Sequence, residues 1–311
     1  VKLEGERPSH PRGTAPSGQI FILDPDAGGG LSGLRALYYD GTPCPLAEGD
    51  LQQTEITTRD IDRGEFPHYF LKEINESVQS VRKTLRGKYR RVGGAGTKTE
   101  VHFNLGADVV PVPLCERLLR GGIDRIVVIG HGTAAVAGQA VADALTHDLR
   151  GCRIAVENRL ASELSGFSLE DDLSNVLVIP ITQSGTTTDT NRAVAMARER
   201  GAGIIAIVNR RQSDITTKAD GVFYTSDGRD IEMSVASTKA FYSQIVAGRI
   251  LSLFLSKLLG SRTDADIDRE LSVLERAPEM MRRILERKEE IRAAAERLAI
   301  GKIHWAVVGS G

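Results

Sequence analysis

Between residues 120 and 225 the chain alternates two textures. Apolar, β-branched runs at 126–129, 153–156, 176–181, 204–208 and 221–225 are separated by stretches of helical spacing, most clearly 134–145 and 187–200. Strands that are apolar along their whole length are covered on both faces, which is the condition of a parallel sheet between two layers of helices. The pattern predicts a doubly wound, flavodoxin-like α/β fold. Upstream, Phe70, Ile74, Val78, Val81 and Leu85 fall mostly three or four apart and predict one amphipathic helix ending near Gly87. Downstream, 236–259 reads as a long apolar helix, and 264–298 carries charge at helical spacing, as linking helices do.

The first 64 residues have another texture: Gly28-Gly29-Gly30, scattered prolines, and short β-type runs at 19–23 and 34–39. This predicts three parts: a β-rich N-terminal remnant over 1–64, the α/β module over 65–262, and linking helices with one further strand over 263–311. That last strand is Val307-Val308 running into Gly309-Ser310-Gly311, which resembles the opening of another α/β unit. The chain therefore reads as a piece of something longer.

Composition removes several classes of function. The 311 residues hold 40 Lys+Arg against 41 Asp+Glu, a net charge of −1, which argues against a general nucleic-acid binder. The most apolar helical segment, 240–259, is broken by Arg249 and Lys257 and is too charged for a membrane span. Cys44, Cys115 and Cys152 have no CxxC spacing and predict neither a disulfide framework nor a zinc site, which suits a reducing, cytoplasmic setting. Cys115 and Cys152 read as small core residues. His10, His68, His102, His147 and His304 lack metal-ligand spacing, so no metal is expected. The basic run Arg86, Lys88, Arg90 and Arg91 reads as a solvated helix end and loop, with no ligand assigned.

In an open parallel sheet ligands bind beyond the carboxyl ends of the strands. Three of those turns are chemically unusual. The first is Gly130-His131-Gly132-Thr133-Ala134-Ala135, where backbone can approach an anion at a helix start. It also fits a GxGxxA dinucleotide fingerprint, with Glu157 placed near the position of a ribose-binding acid. The second, Thr182-Gln183-Ser184-Gly185-Thr186-Thr187-Thr188, offers five hydroxyls before the helix that runs to Arg200. It is a phosphate cradle without the lysine of a Walker loop, and suits a phosphomonoester better than a nucleoside triphosphate. The plainer reading is that Ser184 or Thr186 caps the helix. The third, Met233-Ser234-Val235-Ala236-Ser237-Thr238-Lys239, brings small and hydroxyl residues to the start of the long apolar helix. Lys239 is either a cation beside the ligand or a residue that holds the loop through a carboxylate.

Together the three turns resemble the sugar isomerase (SIS) module, in particular the first SIS module of the glutamine–fructose-6-phosphate aminotransferase family. That family's CGTS, SQSGxTxDT and VASTKAF strings are similar to 131–134, 182–190 and 235–241 here, in the same order. Phe66-Pro67-His68-Tyr69-Phe70-Leu71-Lys72-Glu73-Ile74 is similar to the family's segment joining glutaminase to isomerase, so residues 1–64 resemble the end of a glutaminase domain. The resemblance implies Thr182, Gln183, Ser184 and Thr187 on the phosphate of fructose 6-phosphate or glucosamine 6-phosphate. It implies Val235, Ala236 and Ser237, with Gly132 and Thr133 of the first turn, on the sugar.

Three positions depart from the family: Ala134 replaces a serine, His131 a cysteine and Thr186 a frequent glutamate. The family's N-terminal cysteine nucleophile, isomerase base, lysines and ring-opening histidine have no counterpart here, so no catalytic residue is expected in this chain. The resemblance further implies no cofactor, glutamine handled by another domain, a homodimer, and no nucleic-acid or membrane partner. The residues also leave three other readings open: a non-catalytic SIS sensor of sugar phosphates, a deglycase-like SIS enzyme and a dinucleotide enzyme.

Overall fold

A computed structural model describes residues 19–28, 30–38, 40–51, 57, 61–93 and 99–306. Tyr39, at the end of one expected strand, and the expected terminal strand at 307–308 lie outside the described residues. The chain divides into two compact units, Val1–Thr57 and Thr58–Gly311.

In the first unit β1 (Gln19–Leu23) pairs antiparallel with β2 (Leu34–Tyr38), Gln19 opposite Tyr38. Burial alternates along β2, and Ala36 and Tyr38 form a small core with Cys44, Phe21 and Leu46.

The second unit begins with α1 (Tyr69–Leu85), the antiparallel pair β3 (Tyr89–Val92) and β4 (Glu100–Phe103), and α2 (Val112–Leu119). Then come β5 (Arg125–Gly130), α3 (Thr133–Asp148), β6 (Ala155–Leu160), α4 (Ala161–Phe167), β7 (Val176–Thr182), α5 (Thr188–Glu199), β8 (Gly203–Val208), α6 (Asp214–Lys218) and β9 (Gly221–Tyr224). The five strands β5 to β9 form a parallel sheet in the order β6-β5-β7-β8-β9. A long helix, α7 (Lys239–Leu258), is followed by α8 (Asp264–Leu274), α9 (Ala277–Glu286) and α10 (Lys288–Leu298).

Alternate residues of each central strand feed opposite cores, as a period of two requires. Val128, Ile179 and Ile207 face Val141 and Leu145 of α3 and Ile250 and Leu251 of α7. Val127, Val178 and Ala206 face Leu164 of α4, Val194 of α5 and Ile215 of α6. Each fully buried branched side chain contributes about 1.5–3 kcal/mol relative to exposure, so the sheet anchors the unit. This is the doubly wound arrangement expected from the alternation of textures.

Several details differ from expectation for identifiable reasons. β6 runs over 155–160 rather than 153–156 and accepts polar Glu157, Asn158 and Arg159 because it is an edge strand with one flank unpaired among the described residues. α7 begins at Lys239 rather than 236, since the amides of Thr238 and Ala240 are both taken by the carboxylate of Glu232. The basic run is not a solvated loop. It leads into β3, where Arg91 bonds Glu275 at 2.7 Å and also engages Asp268, tying the hairpin to α8. Lys88 lies half-buried with its Nζ 5.1 Å from the centre of the Phe223 ring, and burial lowers its pKa. No helix among the described residues is long and apolar enough to cross a membrane.

Two tethers hold the periphery of the sheet. Asp148, the last residue of α3 and 1% exposed, engages Arg249 and accepts a hydrogen bond from Ser252 Oγ at 2.8 Å, both on α7. Arg249 continues to Glu270 of α8 at 2.8 Å. At the other side of the sheet, the Val222 amide of β9 donates to the Asp108 carbonyl at 2.8 Å, so a segment preceding α2 lies along that edge.

Candidate functional site

The crevice forms where β5 and β7 leave the sheet side by side, Ile129 pairing with Pro180. A cleft of 230 Å³ opens there, bounded by the turns after these two strands and by the loop that enters α7. Gly132, Thr133, Thr182, Gln183, Ser184, Thr187, Val235 and Ser237 all line it. Ala236, the ninth residue expected at the site, does not; its carbonyl accepts from Ser234 Oγ at 3.0 Å within the loop.

The second turn has a defined internal architecture. Thr182 is buried at the end of β7, and its Oγ1 accepts from the Gly185 amide at 3.1 Å. Gly185 has φ +69°, and its carbonyl receives Asn191 Nδ2 at 3.0 Å and the Ile215 amide at 3.0 Å. Ser184 Oγ accepts from the amide and the hydroxyl of Thr186, at 3.2 and 3.0 Å. No side chain among the described residues caps α5, not even that of Thr187 at the N-cap position, so neither Ser184 nor Thr186 serves as a cap. The N-terminus of α3 is likewise uncapped, with Gly132 at φ +57°. Two helix dipoles thus present unclaimed amides at the crevice.

The third turn is held by three carboxylates that periodicity does not reveal. Glu232 accepts from Ser237 Oγ and the Thr238 amide, each at 2.8 Å, and from the Ala240 amide at 3.1 Å. Glu73, buried on α1, accepts from the Met233 and Ser234 amides at 2.6 and 3.3 Å and also engages Ser234 Oγ. Lys239 is buried and bonds Glu76 of α1 at 2.6 Å, which decides its role in favour of holding the loop. Glu73 and Glu76 sit one helical turn apart in the segment Phe66–Ile74 and just beyond it, yet nothing in their spacing identifies a partner about 160 residues away.

No lysine or arginine is among the described residues lining the cleft, and Glu232 is its one carboxylate. Attraction for an anion therefore comes from dipoles and hydroxyls rather than from a point charge. His131 lines the cleft and is exposed, with no acid partner drawn to it among the described residues. Cys115 and Cys152 pack partly buried against the main core, and burial pushes the Cys115 thiol up. Glu157 lies within β6 and bonds Arg159 Nε at 2.7 Å, so it is engaged away from the strand end that a ribose-binding acid would occupy. Among the described residues no group of three or more His, Cys, Asp or Glu could hold a metal ion.

An open parallel sheet whose hydroxyl-rich turn meets an uncapped helix, faced by a second uncapped helix and a small-residue loop, defines an anion-binding α/β domain. Residues 122–253 match the SIS domain family, and the chain carries an SIS domain. Its curated relatives are isomerising glutamine–fructose-6-phosphate aminotransferases. That of Corynebacterium glutamicum is 35% identical over 243 residues, covering 78% of this chain and 36% of the relative. That of Streptomyces coelicolor is 35% identical over 272 residues, covering 86% of this chain and 40% of the relative. The C-terminal domain of glucosamine-fructose-6-phosphate aminotransferase from Francisella tularensis matches with a TM-score of 0.61 at 25% identity, over 76% of this chain and 60% of that one. The chain belongs to this aminotransferase family through its SIS portion, and spans well under half the length of these curated relatives.

Proposed function

We propose that this chain supplies the sugar-phosphate-binding module of a glutamine-dependent aminotransferase and isomerase that converts fructose 6-phosphate to glucosamine 6-phosphate. The observation that carries the reading is the convergence of eight residues from three separate turns on one cleft with two uncapped helix starts. The phosphate is gripped by Ser184, Thr187, Gln183 and Thr182 at the start of α5. The sugar lies toward Gly132 and Thr133 on one side and Ser237, Val235 and the backbone of Ala236 on the other.

In the whole enzyme, ammonia released from glutamine condenses with the C2 carbonyl of the ketose, and a proton moves from C1 to C2. Glutamate and the aldose amino sugar result, without net oxidation. This cleft contributes grip rather than proton transfer, because its one carboxylate is occupied by the loop and the start of α7. Binding at the remote phosphate positions the open-chain sugar for groups elsewhere in the protein. We assign the protein to the cytoplasm, as a homodimer that takes glutamine through another domain; sedimentation of the chain would test the dimer.

Calorimetric titration of the 311-residue chain tests the central reading. Fructose 6-phosphate and glucosamine 6-phosphate are expected to bind and unphosphorylated fructose not to. Ser184→Ala is expected to weaken both phosphorylated sugars about tenfold, the equivalent of one hydrogen bond to a charged group. Equal binding of fructose and fructose 6-phosphate would reject the phosphate assignment.

A further inference from the structure

The cleft has a second polar surface that no residue of the phosphate grip explains. Two of its lining residues are among the most buried polar side chains of the chain: Thr190 and Gln244, each 1% exposed. Thr190 Oγ1 and Gln244 Oε1 have no hydrogen-bond partner among the described residues. They approach from opposite layers, Thr190 in the first turn of α5 and Gln244 in the second turn of α7. A buried polar atom left without a partner costs about 1–3 kcal/mol, so a pair of them facing one cleft marks a place kept for a ligand group.

The amide of Gln244 is not free to turn away. Its Nε2 donates to Oδ1 of Asn209 at 3.2 Å, and Asn209 is itself fully buried just past the carboxyl end of β8. Asn209 Nδ2 also lacks a partner among the described residues, so the two amides satisfy one another through a single bond. Whichever way the pair is oriented, one amide atom of Gln244 remains to be met, and a hydroxyl can meet it because it both donates and accepts. A phosphate oxygen can only accept from a donor, and an apolar chain can do neither.

We infer that Thr190 and Gln244 form a hydroxyl-reading floor that selects a polyhydroxylated phosphate over a bare phosphate. The inference rests on the sugar-phosphate reading and names the part of the ligand that this floor recognises. It assigns binding to the second shelf of the cleft and specificity to side chains outside the three turns.

The experiment compares wild type, Thr190→Val and Gln244→Met in the 311-residue chain, with Ser184→Ala alongside. Each is titrated with fructose 6-phosphate and, separately, inorganic phosphate, and its thermal midpoint is recorded. Thr190→Val and Gln244→Met are each expected to weaken fructose 6-phosphate about tenfold while leaving inorganic phosphate within about twofold, whereas Ser184→Ala weakens both. Because Thr190 Oγ1 makes no bond to another described residue, Thr190→Val is also expected to keep Tm within about 2 °C of wild type or raise it. That variant keeps the test open should Gln244→Met, which strips Asn209 of its partner, unfold. A Thr190→Val chain that loses several degrees, or variants that leave the preference for fructose 6-phosphate over phosphate unchanged, would overturn the floor while the sugar-phosphate reading stands. A wild type that binds neither ligand overturns both.

Discussion

Gly185→Ala is expected to remove phosphate and sugar-phosphate binding together and to lower Tm by several degrees. At φ +69° a Cβ is strained by about 1–2 kcal/mol whatever the space around it. Here the space is also taken: a Cβ would lie 2.1 Å from Ser213 Oγ, 2.5 Å from Ser213 Cβ and 3.0 Å from Ile215 Cγ2. The hydroxyl could rotate, but the Ser213 Cβ cannot, because it moves with the backbone that starts α6. The turn must then shift, and with it the carbonyl that holds Asn191 and the Ile215 amide. Ser184 sits between Gly185 and the strand, so its hydroxyl leaves the position set by the uncapped end of α5. Inorganic phosphate binding should fall more than about tenfold, further than for Ser184→Ala. An alanine variant with wild-type phosphate affinity would show that the turn's shape is not what grips the anion.

The second large effect lies far from the cleft. Asp148→Ala is expected to cost about 3 kcal/mol, since it strands the partly buried Arg249 and removes the acceptor of Ser252. For a unit of this size that corresponds to a fall in Tm of about 10 °C, read by calorimetry or circular dichroism. Removing the charge from both sides, as Asp148→Leu with Arg249→Met, should recover more than half of the loss, leaving Glu270 to solvent. Phosphate affinity should stay within about twofold throughout, because Asp148 ends α3 whereas the cleft meets its beginning. A double variant no better than Asp148→Ala would mean that the carboxylate supports the fold through Ser252 and not through the ion pair.

The sheet is legible in the sequence because β5, β7 and β8 are apolar at nearly every position, and only burial on both faces tolerates that. The pattern places β6 two residues early because an edge strand may carry Glu157, Asn158 and Arg159, which break the very signal used to find it. The hairpin β3–β4 escapes it for the opposite reason: Tyr89-Arg90-Arg91-Val92 has the charge of a loop, and its partners Asp268 and Glu275 lie some 180 residues on. At the site, the hydroxyl turns announce themselves as local strings, and eight of the nine residues expected from them line the cleft. Glu73, Glu76, Glu232 and Gln244 carry no local signal, since their meaning comes from groups that only the fold brings near. Ala236 is implicated only through its neighbours and lies outside the lining.

The two flanks of the five-stranded sheet are left open by its topology, and the chain guards each by a different device. At β9 the row of main-chain donors is partly consumed by the segment around Asp108, so an incoming strand finds the Val222 amide already used. At β6 the row stays available, but Glu157 and Arg159 stand along it with their charges paired to each other, and an apolar strand from a second molecule would have to bury both. Resistance to strand-to-strand aggregation is thus written into the same three polar residues that shorten the apolar run of β6. Their replacement by valine would regularise the strand and open a route to polymer.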